Sequence, residues 1–264
     1  MSVLGVIVAA AIVGLLGLVI GILLGAVNKA FEVEVDEKEV AVRECLPGNN
    51  CGGCGFAGCD ALAAAIAKGE ASAGSCPVGG AAAATKIAEI MGAEVDLTRY
   101  VAYVHCCGTP QNAVAKYEYV GNHSCREAVT VGGGSAKACT YGCLGLGSCV
   151  EACEFNALYI VNGIAKVNKE ECKACGACVK ACPKNLIELV PYEQHVFVKC
   201  SSHGKGKAVK TACSVGCIGC GLCRKNCEHG AIDIVDNLAV IDYSKCVGCG
   251  KCAEKCPAKA IVFN

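Results

Sequence analysis

The sequence predicts an α+β chain in four parts: a membrane-spanning helix, a small helical cysteine-bearing domain, and two tandem copies of one small α+β unit. Three observations lead there. No charged side chain occurs before Lys29, cysteine fills 26 of 264 positions, and eight cysteines of the C-terminal half recur at a single offset of 74 residues. Aromatics make up only 5 % of the chain and Trp is absent. A conventional core of large side chains is therefore not available, and bound metal is expected to help hold the fold. The 24 basic and 24 acidic residues balance, which excludes a strongly basic nucleic-acid binder.

The first part, residues 1–28, is read as an uncleaved membrane anchor. From Val3 to Val27 the chain is apolar throughout, and about 20 such residues span a bilayer core. A cleaved signal peptide would carry a basic n-region and a shorter apolar stretch; neither is present. Lys29 follows the span with no basic residue before it, so the positive-inside rule places the rest of the chain in the cytoplasm, at the cell membrane. Glu32, Glu34, Asp36, Glu37 and Glu39 crowd the juxtamembrane stretch. A cytosolic chain keeps its thiols reduced, which leaves the cysteines as metal ligands or free thiols rather than disulfides.

The second part, residues 29–98, carries Cys51, Cys54, Cys59 and Cys76 on glycine-rich loops, with alanine-rich helical segments after Cys59 and from Gly80 to Met91. Four thiolates of this kind suit a [4Fe–4S] cluster; a zinc knuckle is the alternative.

The third and fourth parts, residues 99–190 and 191–264, are the repeat. Cys139, Cys143, Cys149, Cys153, Cys172, Cys175, Cys178 and Cys182 match Cys213, Cys217, Cys223, Cys227, Cys246, Cys249, Cys252 and Cys256. A hairpin lies between the two cysteine runs of each unit, with Asn162-Gly163 as a type I′ turn in the first and a turn near Asp236-Asn237 in the second. Cys172-x2-Cys175-x2-Cys178-x3-Cys182-Pro183 and its copy from Cys246 to Pro257 have the bacterial ferredoxin spacing, whose fourth cysteine serves the neighbouring cluster. Cys217, Cys220, Cys223 and Cys227 keep that spacing, but the counterpart of Cys220 in the first unit is Leu146. Cys139 is the expected replacement.

The resulting expectation is five clusters. They use Cys51, Cys54, Cys59 and Cys76; Cys139, Cys143, Cys149 and Cys182; Cys153, Cys172, Cys175 and Cys178; Cys217, Cys220, Cys223 and Cys256; and Cys227, Cys246, Cys249 and Cys252. The remaining thiols are free, or Cys106 or Cys107 joins Cys125, Cys200 and Cys213 in a sixth cluster. Cys45 reads as a bystander, and so do the five histidines.

No G-x-G-x-x-G stands between a strand and a helix, and no Walker A run exists. Electrons must therefore enter and leave through other proteins. Residues 101–264 carry 18 bases against 13 acids. Lys205, Lys207, Lys210, Lys251, Lys255 and Lys259 are candidates for docking an acidic redox partner.

A membrane helix, then CGGCGFAGC with Cys76, then duplicated ferredoxin units: in this order the chain resembles the B subunits of the Rnf complex, in the longer form with two ferredoxin units. The resemblance implies an ion-translocating ferredoxin:NAD⁺ oxidoreductase, a translocase whose B subunit takes electrons from reduced ferredoxin and passes them to membrane partners. It places the NAD site on another subunit. Leu146, and Glu154 and Glu228 in place of proline, depart from the ferredoxin pattern. The readings outside this family are a stand-alone membrane polyferredoxin that buffers electrons, and an iron–sulfur or zinc sensor or structural protein.

Overall fold

The computed structural model describes residues 3–30, 36–95, 97–131 and 133–263, with the side chains of the first helix described at Ile7 and from 12 to 26. Glu32, Glu34, the Lys29 side chain and Gly132 lie outside the described residues.

The apolar run forms one helix, α1 (Val3–Ala30), of 28 residues. Its described side chains are all exposed. Among the described residues, no helix is long and apolar enough to cross a membrane. Three helices follow, α2 (Glu37–Cys45), α3 (Cys59–Ala67) and α4 (Gly80–Met91). Asp36 caps α2 by accepting the Lys38 N–H at 2.9 Å. Val42, Leu62, Ile66 and Ile87 meet in the middle of these three helices, at most 1 % exposed. Alanines line the rest, so the helices approach closely and the core stays small.

Each repeated unit is built from two two-stranded antiparallel pairs. In the first unit β1 (Tyr100–Val104) pairs with β4 (Ile187–Pro191), and β2 (Leu158–Val161) with β3 (Ile164–Val167). In the second β5 (Val196–Val198) pairs with β8 (Ile261–Phe263), and β6 (Ile232–Val235) with β7 (Leu238–Ile241). The inner hairpins turn on two residues with positive φ: Asn162 and Gly163 at 49° and 66°, Asp236 and Asn237 at 45° and 64°. That is the backbone a type I′ turn needs.

Four single-turn helices carry the middle cysteines: α6 (Ser148–Glu151), α7 (Ala177–Ala181), α9 (Leu222–Lys225) and α10 (Lys251–Glu254). Two further short helices, α5 (Cys125–Thr130) and α8 (Gly206–Ala212), precede the cysteine runs of the first and second unit.

Glycine is structurally required at two related places. At Gly145 (φ 75°) a Cβ would collide with the carbonyl oxygen of Gly163, and at Gly219 (φ 67°) with that of Asn237, at 2.7 Å. In both units the cluster loop thus lies directly on the hairpin turn. Gly176 also has a positive φ, 77°, but nothing within 4 Å of a Cβ. Gly145→Ala is therefore expected to cost more than the roughly 1–2 kcal/mol of left-handed backbone alone, and Gly176→Ala about that much. Thermal melting of the two anaerobically purified variants checks this; equal shifts would contradict the loop–hairpin contact.

The two units are joined along a seam. Phe197 of β5 is fully buried and belongs to the core of the first unit, not the second. Its ring stacks on Tyr103 of β1 with centroids 4.0 Å apart. His105 bonds across the same seam through Nδ1 to the Val198 carbonyl at 2.7 Å, and within its own unit through Nε2 to Glu188 at 2.9 Å. The His105 bond holds the Glu188 carboxyl below its usual range. His105 is thus a seam residue with two partners, which its isolation in sequence did not reveal.

Candidate iron–sulfur centres

In the two units the cysteines ring five cavities. Cys153, Cys172, Cys175 and Cys178 surround one, Cys217, Cys220, Cys223 and Cys256 another, and Cys227, Cys246, Cys249 and Cys252 a third. In each of these the distant cysteine comes from the neighbouring run, as the ferredoxin crossover requires.

The fourth cavity differs from the sequence expectation. Cys143, Cys149 and Cys182 line it, but their companion is Cys125, not Cys139. The cause is an insertion. Cys106 and Cys139 are 33 positions apart, whereas Cys200 and Cys213, which follow β5 as Cys106 follows β1, are 13 apart. The extra chain folds into α5, capped by Ser124. The Cys125 N–H donates to Ser148 Oγ at 2.8 Å, beside Cys149. Cys125 thereby fills the place left by Leu146. Cys139 lines the fifth cavity with Cys106, Cys107, Cys200 and Cys213.

Near α3, the thiols of Cys54 and Cys59 lie close to Cys76. Asn50 Oδ1 accepts the Cys59 N–H at 2.8 Å, and Cys76 Sγ accepts the Gly79 N–H at 3.3 Å. Cys51 is exposed and lies near Cys175 of the first unit. There a Cβ on Gly53 would stand 2.6 Å from the Cys175 carbonyl oxygen. The loop of the helical domain and a cluster loop of the first unit thus touch backbone to backbone. Cys45 is half-buried in the core of the three helices.

This chemistry fits [4Fe–4S] clusters. Backbone N–H groups point at sulfur: Ala157 to Cys153 and Ala231 to Cys227 at 3.4 Å, Ala102 to Cys172 at 3.4 Å, Leu186 to Cys182 at 3.5 Å. Such bonds stabilise a thiolate and tune a cluster. Burial pushes the Cys149 and Cys178 thiols up to about 12, each with neighbouring thiols adding to the effect. These protons have to leave when metal binds, so metal supplies the charge that makes the buried sites stable. Among the described residues, no three His, Cys, Asp or Glu side chains converge closely enough to hold a single metal ion. Thiols that ring a cavity suit a polynuclear group better than one zinc.

Lys137, unremarked in the sequence, ties the site together. Its Nζ donates to the carbonyls of Gly108 and Cys143 at 2.8 Å and of Gly163 at 2.9 Å. No spacing rule reveals such a lysine, because its three partners come from separate loops. Lys205, Lys207, Lys210, Lys255 and Lys259 are exposed; Lys251, also exposed, pairs with Glu228 at 2.6 Å.

The comparisons with known proteins agree with this chemistry. An Fe–S cluster family matches residues 46–78, the 4Fe–4S binding domain matches residues 165–188, and the 4Fe–4S dicluster domain matches residues 216–260. The B subunit of the Na⁺-translocating ferredoxin:NAD⁺ oxidoreductase complex of Acetobacterium woodii is 48 % identical over 242 residues, covering 91 % of this chain and 72 % of that protein. The B subunit of the ion-translocating oxidoreductase complex of Methanosarcina acetivorans is 44 % identical over 248 residues, covering 93 % and 94 %. The chain belongs to the Rnf B-subunit family. A third relative, the B subunit of the proton-translocating ferredoxin:NAD⁺ oxidoreductase complex of Clostridium ljungdahlii, is 44 % identical over 242 residues, covering 90 % and 85 %. As an Rnf B subunit, the chain is an iron–sulfur electron-transfer subunit of a multi-subunit oxidoreductase, and its cofactors are [4Fe–4S] clusters.

Proposed function

We propose that this subunit is a membrane-anchored relay. It takes electrons from reduced ferredoxin at its C-terminal unit and delivers them, through the domain of α2–α4, to membrane subunits that reduce NAD⁺ and translocate ions. The anchor is α1, with the remainder on the cytoplasmic side. Its 28 residues make a helix of about 42 Å at 1.5 Å per residue, and the exposed side chains from 12 to 26 are all uncharged.

The proposed ligands are Cys51, Cys54, Cys59 and Cys76 in the helical domain; Cys125, Cys143, Cys149 and Cys182, and Cys153, Cys172, Cys175 and Cys178, in the first unit; and Cys217, Cys220, Cys223 and Cys256, and Cys227, Cys246, Cys249 and Cys252, in the second. When bound, the clusters supply the one-electron carriers. The chain's own part is to hold the thiolates, aim N–H groups at sulfur, and keep consecutive sites adjacent.

The observation that carries the reading is this adjacency. Cys149 of one site lies near Cys178 of the next, and the Gly53 backbone rests on Cys175 of the site nearest the helical domain. The names of the relatives support ferredoxin as donor, and the names differ in the ion moved, Na⁺ or protons.

Ferredoxin docking on the exposed lysines predicts a salt-sensitive encounter. Replacing Lys205, Lys207 and Lys210 by Glu in the holo subunit should slow its reduction by reduced ferredoxin about tenfold or more at low ionic strength, with little difference left at about 1 M salt. Stopped-flow bleaching of the cluster absorbance measures this. An unchanged rate would move the docking face elsewhere; a wild-type subunit that ferredoxin cannot reduce would remove ferredoxin as its donor.

A further inference from the structure

Two cysteine sites occupy the same place in the repeat. Cys125, Cys143, Cys149 and Cys182 line one in the first unit, and Cys217, Cys220, Cys223 and Cys256 line its counterpart in the second. Their surroundings differ in charge. We infer that Lys137 and Lys184 make the first-unit site the easier of the two to reduce, and so give the relay its direction. The inference rests on reading both cavities as cluster sites.

Lys184 lines the first-unit cavity itself. It is half-buried, two positions after Cys182, and its Nζ donates to the Thr140 carbonyl at 2.8 Å. Lys137 stands behind the same site. Its Nζ bonds the carbonyl of Cys143, itself a lining cysteine, and the Gly163 carbonyl on which the Gly145 loop rests. An ammonium has three protons to donate, and the Gly108 carbonyl takes the third.

Every one of these acceptors is a neutral carbonyl. Among the described residues, neither lysine has a carboxylate within ion-pair distance. No acidic side chain lines the cavity either. A partly buried charge without a counter-charge is costly. An anionic group held by the four cysteines supplies the counter-charge that the protein itself does not.

The second unit has neither lysine. The residues 74 positions on are Thr211 and Ala258. Thr211 turns its hydroxyl back to the Lys207 carbonyl of its own helix, α8, at 3.0 Å. Ala258 is buried in the core of the second unit. No charged side chain lines the second-unit cavity. Its hairpin turn is held by His203, whose Nδ1 donates to the Asp236 carbonyl at 3.2 Å, and by the Asn237 carboxamide, which donates to the His203 carbonyl at 3.3 Å. One scaffold is thus built twice, once with two unpaired ammonium groups and once without.

Reduction adds a negative charge to a site, and a nearby cation favours the reduced form, most strongly where water is excluded. Solvent exposure acts the other way here, since Cys220 is exposed and Cys125 is buried. Two unpaired lysines against one exposed sulfur leave the first-unit site the better acceptor. An electron that passes from the second unit to the first oxidises one site and reduces the other, with no bond formed and no proton moved.

The test is an anaerobic redox titration of the full-length holo protein, followed by EPR, with iron counted per chain. Lys184→Gln keeps a donor for Thr140 and removes the charge; Lys184→Arg keeps the charge. In Lys184→Gln one component should move to lower potential by about 59 mV, a tenfold change in its one-electron equilibrium, while the others stay. Lys184→Arg should titrate as the wild type. Lys137→Gln should move the same component; if that variant fails to fold, the Lys184 pair still decides. Cys220→Ala identifies the second-unit component by deleting it, and in the wild type the lysine-sensitive component should lie above it. A Lys184→Gln titration equal to the wild type overturns the inference. So does a shift that Lys184→Arg reproduces, because lost bonding rather than lost charge would then be its cause. A lysine-sensitive component below the second-unit one overturns the direction. A wild type with almost no iron would instead sink the cluster reading beneath it.

Discussion

A Cys54→Ala chain, assembled into its complex, is expected to accept electrons from ferredoxin and fail to pass them on. Cys54 lies beside Cys76 in the core of the three helices, remote from the second unit in sequence. The change removes one proposed ligand of the helical-domain site, and iron should fall by about four per chain. Ferredoxin should still bleach the remaining clusters of the isolated subunit at the wild-type rate. Ferredoxin-dependent NAD⁺ reduction by the whole complex should drop to background. A complex that reduces NAD⁺ normally with the four iron gone would reverse the proposed order of the relay. A Gly53 substitution tests the same handover with all ligands present, since any side chain there meets the Cys175 carbonyl.

Phe197→Ala is expected to be the most damaging substitution away from the cysteines. Phe197 is fully buried, stacks on Tyr103, and lies 6.2 Å from the ring of Tyr243 of the second unit. Truncating a buried phenylalanine costs about 3–5 kcal/mol. Here the loss falls on the seam, so the units should loosen from one another before either unfolds. Limited proteolysis should cut faster between residues 191 and 195, and the thermal transition should fall and broaden. Phe197→Leu, which keeps most of the volume, should cost under about 1.5 kcal/mol. Unchanged cleavage in Phe197→Ala would mean that other contacts carry the seam.

The parts of this molecule that were legible in sequence are those fixed by local spacing. The spacing of Cys172, Cys175 and Cys178, and of Cys246, Cys249 and Cys252, sets each trio around one cavity, with Cys182 and Cys256 each at a neighbouring one. The hairpin turn at Asn162-Gly163 read equally well, because type I′ geometry demands positive φ at both positions. The apolar run before Lys29 read as a helix, and α1 is helical across it.

What stayed hidden depends on tertiary packing. Cys125 and Cys139 exchanged their expected neighbours because an insertion folds one of them back beside Cys149. Offset arithmetic favoured Cys139, which has a partner at 74 residues, over Cys125, which has none. Phe197 sits in a strand of the second unit yet packs into the core of the first, and no periodicity marks that. His105 and Lys137 are likewise single residues whose partners lie 6 to 93 positions away, with the exposed-looking sequence context of ordinary surface groups.

The contact between Gly53 and Cys175 has one more consequence. Some electron carriers work as swinging arms, with a hinge that brings a mobile head from donor to acceptor. Here main chain rests on main chain, with no side chain between them to yield. At this one place the gap between the two cysteine loops is set by backbone contact alone, so a side chain added at position 53 should push the loops apart and lengthen the path between the two thiol groups.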